Sequence, residues 1–190
     1  MIRKLFTLAI CCLTALSCNN KSNTSQQATN TAWELHQYID GYGDRTNSSY
    51  VSVNGTGLFS NSATNNSKLE ATLYVDKENI NIRMFEYGVS KITCFDEDHR
   101  HAGIYVKGKD NKEVDLGDWA AKFYDGDLEL TNDARKKLMP ILLAGGKVKF
   151  QIFFQGAQYN FTIPNTDGLK EMLDKTNIDH SEDLDSTAIM

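Results

Sequence analysis

Alternation of apolar and polar residues with a period of two is what most constrains the fold of this chain. "SKLEATLYVD" (67–76) sends Leu69, Ala71, Leu73 and Val75 to one side, the pattern of a half-buried strand. "ENINIRMFEYG" (78–88) follows directly after Asp76-Lys77 with Ile80, Ile82, Met84 and Phe85, so the two runs predict a hairpin. "KVKFQIFFQ" (147–155) and "AQYNFTIP" (157–164) form a second pair joined at Gln155-Gly156. "SYVSVNGTGLFS" (49–60) alternates around Tyr50, Ser52 and Asn54, with turn signals at Asn54-Gly55 and Gly57. Two shorter runs, "AGIYVKG" (102–108) and "AKFYDG" (121–126), add strands. In the second, Asp125-Gly126 is read as a turn leading out of the strand and on towards a helix.

Two segments break this pattern. "TNDARKKLMPILLAGG" (131–146) opens with cap-forming Thr131 and Asn132, carries Asp133 in its first turn and ends in Gly145-Gly146, the start and stop chemistry of a helix. Pro140 lies inside it and predicts a kink or a split, since proline removes a backbone donor. "NTDGLKEMLDK" (165–175) gathers Leu169, Met172 and Leu173 on one face of a short amphipathic helix. About seven short strands with glycine-rich turns and one or two short helices predict a mainly β fold. A β-sandwich or barrel, mostly antiparallel, is the expected architecture.

Hydrophobic residues make up 41% and charged residues 24% of the 190-residue chain, which places it in the globular class. Its net charge of −5 excludes a general nucleic-acid binder, which needs a basic face for phosphates. The N-terminus reads differently from the rest. "MIRKLFTLAICCLTALSC" starts with Arg3 and Lys4, runs apolar from Leu5 to Leu16 and ends at Ser17-Cys18. These are the parts of a secretory signal, and the apolar run falls short of the roughly 20 residues that span a bilayer.

"ALSC" resembles the lipobox of bacterial lipoproteins, with Ala15 where the usual pattern has an aliphatic residue, a loosening similar to Bacteroidetes-type sequences. The resemblance implies that Cys18 carries lipid, palmitate included, and becomes the first mature residue. Asn19 does not resemble the inner-membrane retention signal, and no acidic cluster of the kind that marks surface export follows it. A periplasm-facing anchor in the outer membrane is therefore implied. Loss of Arg3 and Lys4 with the signal takes the net charge from −5 to −7. Of four cysteines, Cys11 and Cys12 leave with the signal and Cys18 is lipidated. Cys94 then has no disulfide partner within the chain.

The expected organisation is a signal over 1–17, lipidated Cys18 with a polar tether over 18–31, a β-rich domain over 32–176 and an acidic tail over 177–190. The tether, "NNKSNTSQQATNT" (19–31), holds nothing apolar larger than Ala28 and cannot bury enough surface to order itself. From Trp33, the Asp–Gly–Asp-type turn and "FSNSATNNSKL" before the first hairpin resemble uncharacterised bacterial envelope domains. That resemblance covers roughly a quarter of the chain and implies a β-sandwich-like domain, with no activity attached to it.

The densest chemistry is "CFDEDHRH" (94–101). His99 and His101 are two apart, so on a strand they share a face, and with Asp96 or Cys94 as third ligand they can hold zinc. The competing reading makes Ile92–Phe95 the end of one strand, Ala102–Val106 the start of the next, and the charges a solvated loop between them. No HExxH, CxxC or G-x-S-x-G occurs, and "DGDLEL" (125–130) departs from an EF-hand at its sixth and twelfth positions. Enzyme is thus the minority reading and no cofactor is expected, with zinc at Asp96, His99 and His101 as the alternative. The main expectation is a lipid-anchored binding or interaction domain. Trp33, Trp119, Phe123, Tyr124 and Phe154 are the aromatics available to a ligand surface. The expected partners are the membrane through Cys18 and an envelope protein or glycan. A metal-dependent hydrolase or metal-binding protein, and an inhibitor or immunity-type partner, are the other classes.

Overall fold

The computed structural model describes residues 31–96 and 99–176. The expected signal, Cys18, the expected tether up to residue 30, Glu97, Asp98 and the expected tail from 177 onward lie outside them. The described residues form ten strands and two helices. These are β1 (Glu34–Ile39), β2 (Arg45–Ser60), β3 (Ser67–Val75), β4 (Ile80–Glu86), β5 (Ser90–Lys91), β6 (His101–Lys107), β7 (Glu113–Tyr124), β8 (Asp127–Leu130), α1 (Asn132–Leu143), β9 (Val148–Phe154), β10 (Ala157–Ile163) and α2 (Leu169–Lys175).

Eight of the strands close into an antiparallel barrel. Around the wall the order is β2-β10-β9-β6-β7-β8-β4-β3, and β3 pairs back onto β2 to close the ring. The alternation read from sequence decides which side chains enter. Ala71↔Met84, Leu73↔Ile82 and Val75↔Ile80 face each other across β3 and β4. Val51, Val53, Phe59, Ile104, Leu128, Phe150, Ile152 and Phe161 join them, each almost wholly buried. Eight strands leave an interior just wide enough for side chains to fill. This barrel is filled, so any ligand must meet its outside or its ends.

Register also fixes what closes each end. α1 leaves the end where β8 finishes and enters β9 at the same end. It buries Ala134, Leu138 and Leu142, and burying each leucine contributes about 1.5–3 kcal/mol. Thr131 caps it, with Oγ1 accepting from the Ala134 amide at 3.4 Å. α2 packs beside α1 and β2 and buries Leu169 and Met172. At the opposite end lie the described residues that follow β5 (92–96) and precede β6 (99–100), near the ends of β8 and β7.

Several expectations are corrected here. Asn54-Gly55 and Gly57 make no turn, and β2 runs through them for 16 residues. A Cβ on Gly57 would sit 1.9 Å from the Asn160 carbonyl oxygen, so this glycine lets β10 press against β2. Pro140 does not split α1. The carbonyl it deprives of a partner belongs to Lys136, which is exposed, so water can take the place of the missing donor. Ile92–Phe95 is not a strand end: β4 stops at Glu86 and β5 is two residues long. Asp125-Gly126 turns as expected, with φ of 46° and 83°, and the residues it leads into, on the way to the helix, form the short strand β8. Gln155-Gly156 turns the same way, with φ of 48° and 75°, both pairs suiting tight two-residue hairpins.

Candidate functional site

Gln155, at the β9–β10 turn, holds residues 94–96. Its Oε1 accepts from the Phe95 amide at 3.0 Å, and its Nε2 donates to Cys94 Sγ at 3.0 Å and to the Asp96 carbonyl at 3.1 Å. The Cys94 thiol itself donates to the Asp96 carbonyl at 3.1 Å. One amide side chain therefore pins the crossing loop over the barrel end. His99 Nδ1 lies 2.6 Å from Asp96 Oδ2, in an exposed pair.

His101 goes elsewhere. β6 begins at His101, so His99 and His101 do not share a strand face. The His101 ring lies tilted by 31° against Trp119 with centroids 4.2 Å apart, and its Nδ1 is buried without a hydrogen-bond partner among the described residues. Of the three residues read as zinc ligands, the fold brings Asp96 and His99 into contact and pairs His101 with an indole. Among the described residues, no three His, Cys, Asp or Glu side chains gather around one point. The aromatics divide as well. Trp33 and Phe154 belong to the core, Phe123 is half-buried and stacks on Phe154, and Trp119 and Tyr124 stand exposed.

A different constellation crosses the outer wall. Val51 and Val75 point inward, so the neighbouring Tyr50 and Tyr74 point outward. β1 lies along the first half of β2 and sets His36 opposite Tyr50. Tyr50 becomes a hub, stacked on His36 at 5.0 Å, tilted against Tyr38 at 4.8 Å and edge-on to Tyr74 at 5.8 Å. The row continues onto β4, where the Arg83 guanidinium sits 5.0 Å from the Tyr74 ring centroid. It ends on β8, whose Asp127 is paired directly across from Arg83. Arg83 Nε and its terminal amine donate to the two Asp127 oxygens at 2.7 and 2.8 Å. Five strands thus supply one continuous row.

The electrostatics follow from these contacts. The bond to Asp127 holds the Arg83 proton more firmly than usual, outweighing the opposing effect of its partial burial. Partial burial, followed by its hydrogen bond to Asp76 Oδ2 at 2.7 Å, raises the Tyr38 hydroxyl well above its ordinary value. Tyr38 therefore stays a neutral donor over the physiological range. The row borders an open groove of about 350 Å³, also lined by Gln37, Ile39 and Asn81, within the size range of small-ligand sites. A second depression of about 400 Å³ lies over β2, β10, β9 and β6. Its outward side chains include Lys107, Glu113, Lys149, Asn160 and Thr162 beside Tyr105, a more charged lining with less aromatic surface.

Sequence reasoning missed the row. Its signal was present: Tyr50, Tyr74 and Arg83 occupy the outward phase of strands whose buried inward positions carry no charged side chain. Large aromatics on that phase are unusual for a solvated face. Compared with protein-family models, with curated proteins and with solved structures, the chain gives no match.

Proposed function

We propose that this chain is a lipid-anchored cell-envelope protein, held at the periplasmic side of the outer membrane through Cys18, whose barrel binds its ligand in the tyrosine groove. The observation that carries the binding half is the row Tyr38–Tyr50–Tyr74–Arg83–Asp127. Its rings remain partly exposed on a wall whose interior is full. Aromatic contacts add about 0.5–1.5 kcal/mol each beyond burial, so the row also ties β1 to the barrel and presents a stiff surface. The anchor half is supported by "ALSC" and the polar segment after it.

Capture from envelope extract tests the groove. The wild-type protein should retain a component that the Tyr50→Ala/Tyr74→Ala variant, shown by circular dichroism to be folded, releases. Equal retention by both would end the groove reading. Palmitate labelling tests the anchor separately: it should vanish in Cys18→Ala, and unchanged labelling would refute lipidation there.

A further inference from the structure

We infer that the groove takes a neutral saccharide chain. This rests on the groove being the binding site, and it follows from three properties of the lining. The first is aromatic surface: Tyr38 is 39% exposed and Tyr50 and Tyr74 are half-buried. Pyranose rings carry apolar C–H faces that pack on such rings, while their hydroxyls remain free to hydrogen-bond. The second is charge. The cation and the anion of the lining, Arg83 and Asp127, are joined through two hydrogen bonds. An anionic ligand would have to compete with Asp127 for the guanidinium fork, and a cationic one would have to compete with Arg83 for the carboxylate. The lining therefore offers no net charge to a charged partner.

The third property is neutral hydrogen-bonding capacity in an open groove. Asn81 lies on the outward phase of β4 with Arg83 and lines the groove, and its side-chain amide both donates and accepts, as vicinal hydroxyls require. The groove runs across the outside of the wall instead of ending in a closed cavity. An open groove does not require its ligand to end inside it. A peptide partner would find the rings equally useful, but the paired charges leave nothing specific for its ionic side chains.

Titration of the full-length protein, solubilised in detergent, tests the ligand class. The probes are maltotetraose, cellotetraose and N-acetylchitotetraose, followed through the tyrosine ring resonances. At least one should shift the resonances of the row, with affinity lowered by about tenfold or more in Tyr74→Ala. Asn81→Ala, which leaves the aromatic row intact, should weaken the same tetrasaccharide. Binding should stay constant between about 0.05 and 0.5 M salt, because screening does not touch a neutral ligand; a steep fall would overturn neutrality. No response to any of the three probes overturns the saccharide. If envelope capture then still depends on Tyr50 and Tyr74, the groove holds another class of partner and only the ligand assignment falls. If capture is indifferent as well, the site itself falls with it.

Discussion

Tyr159 reaches from the inner face of β10 to donate to Glu86 Oε1 at 2.9 Å, while its ring stacks on Phe59 with centroids 5.9 Å apart. It is only 4% exposed. Removing the hydroxyl in Tyr159→Phe keeps the packing and leaves the carboxylate without this donor, so the expected loss is about 1–2 kcal/mol. A lower denaturation midpoint with an unchanged slope would record it. Burial, followed by the bond to Glu86, also raises the Tyr159 hydroxyl well above its ordinary value of 10.0. The unfolded chain therefore releases this proton first. The contribution is complete below pH 10 and declines as pH climbs from there towards the raised folded value. Denaturation at about pH 9 and about pH 11 should show the wild type losing more stability than Tyr159→Phe. An equal loss in both would remove Tyr159 from the account.

Among the elements, β2 carries the most unusual duty. It pairs with β3 along one edge and with β1 and then β10 along the other. Gly57 sits where β10 comes nearest, and an added methyl would strike the Asn160 backbone, not a side chain that could swing away. Gly57→Ala is expected to cost about 1–3 kcal/mol, the range for overpacking. Gly41→Ala, with no atom within 4 Å of the added carbon, serves as the control. Thermal melts of the two variants make the comparison, and matching melts would contradict the close approach. The sequence reading took the β2 glycines as turns because glycine marks a turn and a backbone contact alike. Only the partner strand, about a hundred residues away, tells the two apart.

For the molecule as a whole, local pattern carried the strands and tertiary pairing supplied the rest. The mainly β, antiparallel class and the hairpins β3–β4 and β9–β10 were legible, because each depends on neighbours in sequence. Closure was not, since it needs β2 against β10 and β6 against β9. β1 and β8 escaped notice for a related reason. β1 leaves Leu35 and Ile39 exposed and so lacks a clean apolar side, and β8 is four residues long. The tyrosine row joins positions from 38 to 127, so its members declared nothing singly. "CFDEDHRH" was legible as dense chemistry. It was legible too as a charged connection ahead of a strand, which begins at His101; that the strand before it is only the two residues of β5 was not.

The junction between the described N-terminal residues and the barrel also has a mechanical side. Thr31 Oγ1 donates to the Asp167 carbonyl at 2.8 Å, and the buried Trp33 indole donates to the Thr166 carbonyl at 3.1 Å. Both grips fall on the segment just ahead of α2, before the chain enters β1 at Glu34. A pull on the chain ahead of residue 31 is therefore borne by the α2 corner. Trp33 acts as a cleat, and the line beyond it stays slack: Tyr38 and the wall it belongs to need not shift when the N-terminal segment is under tension.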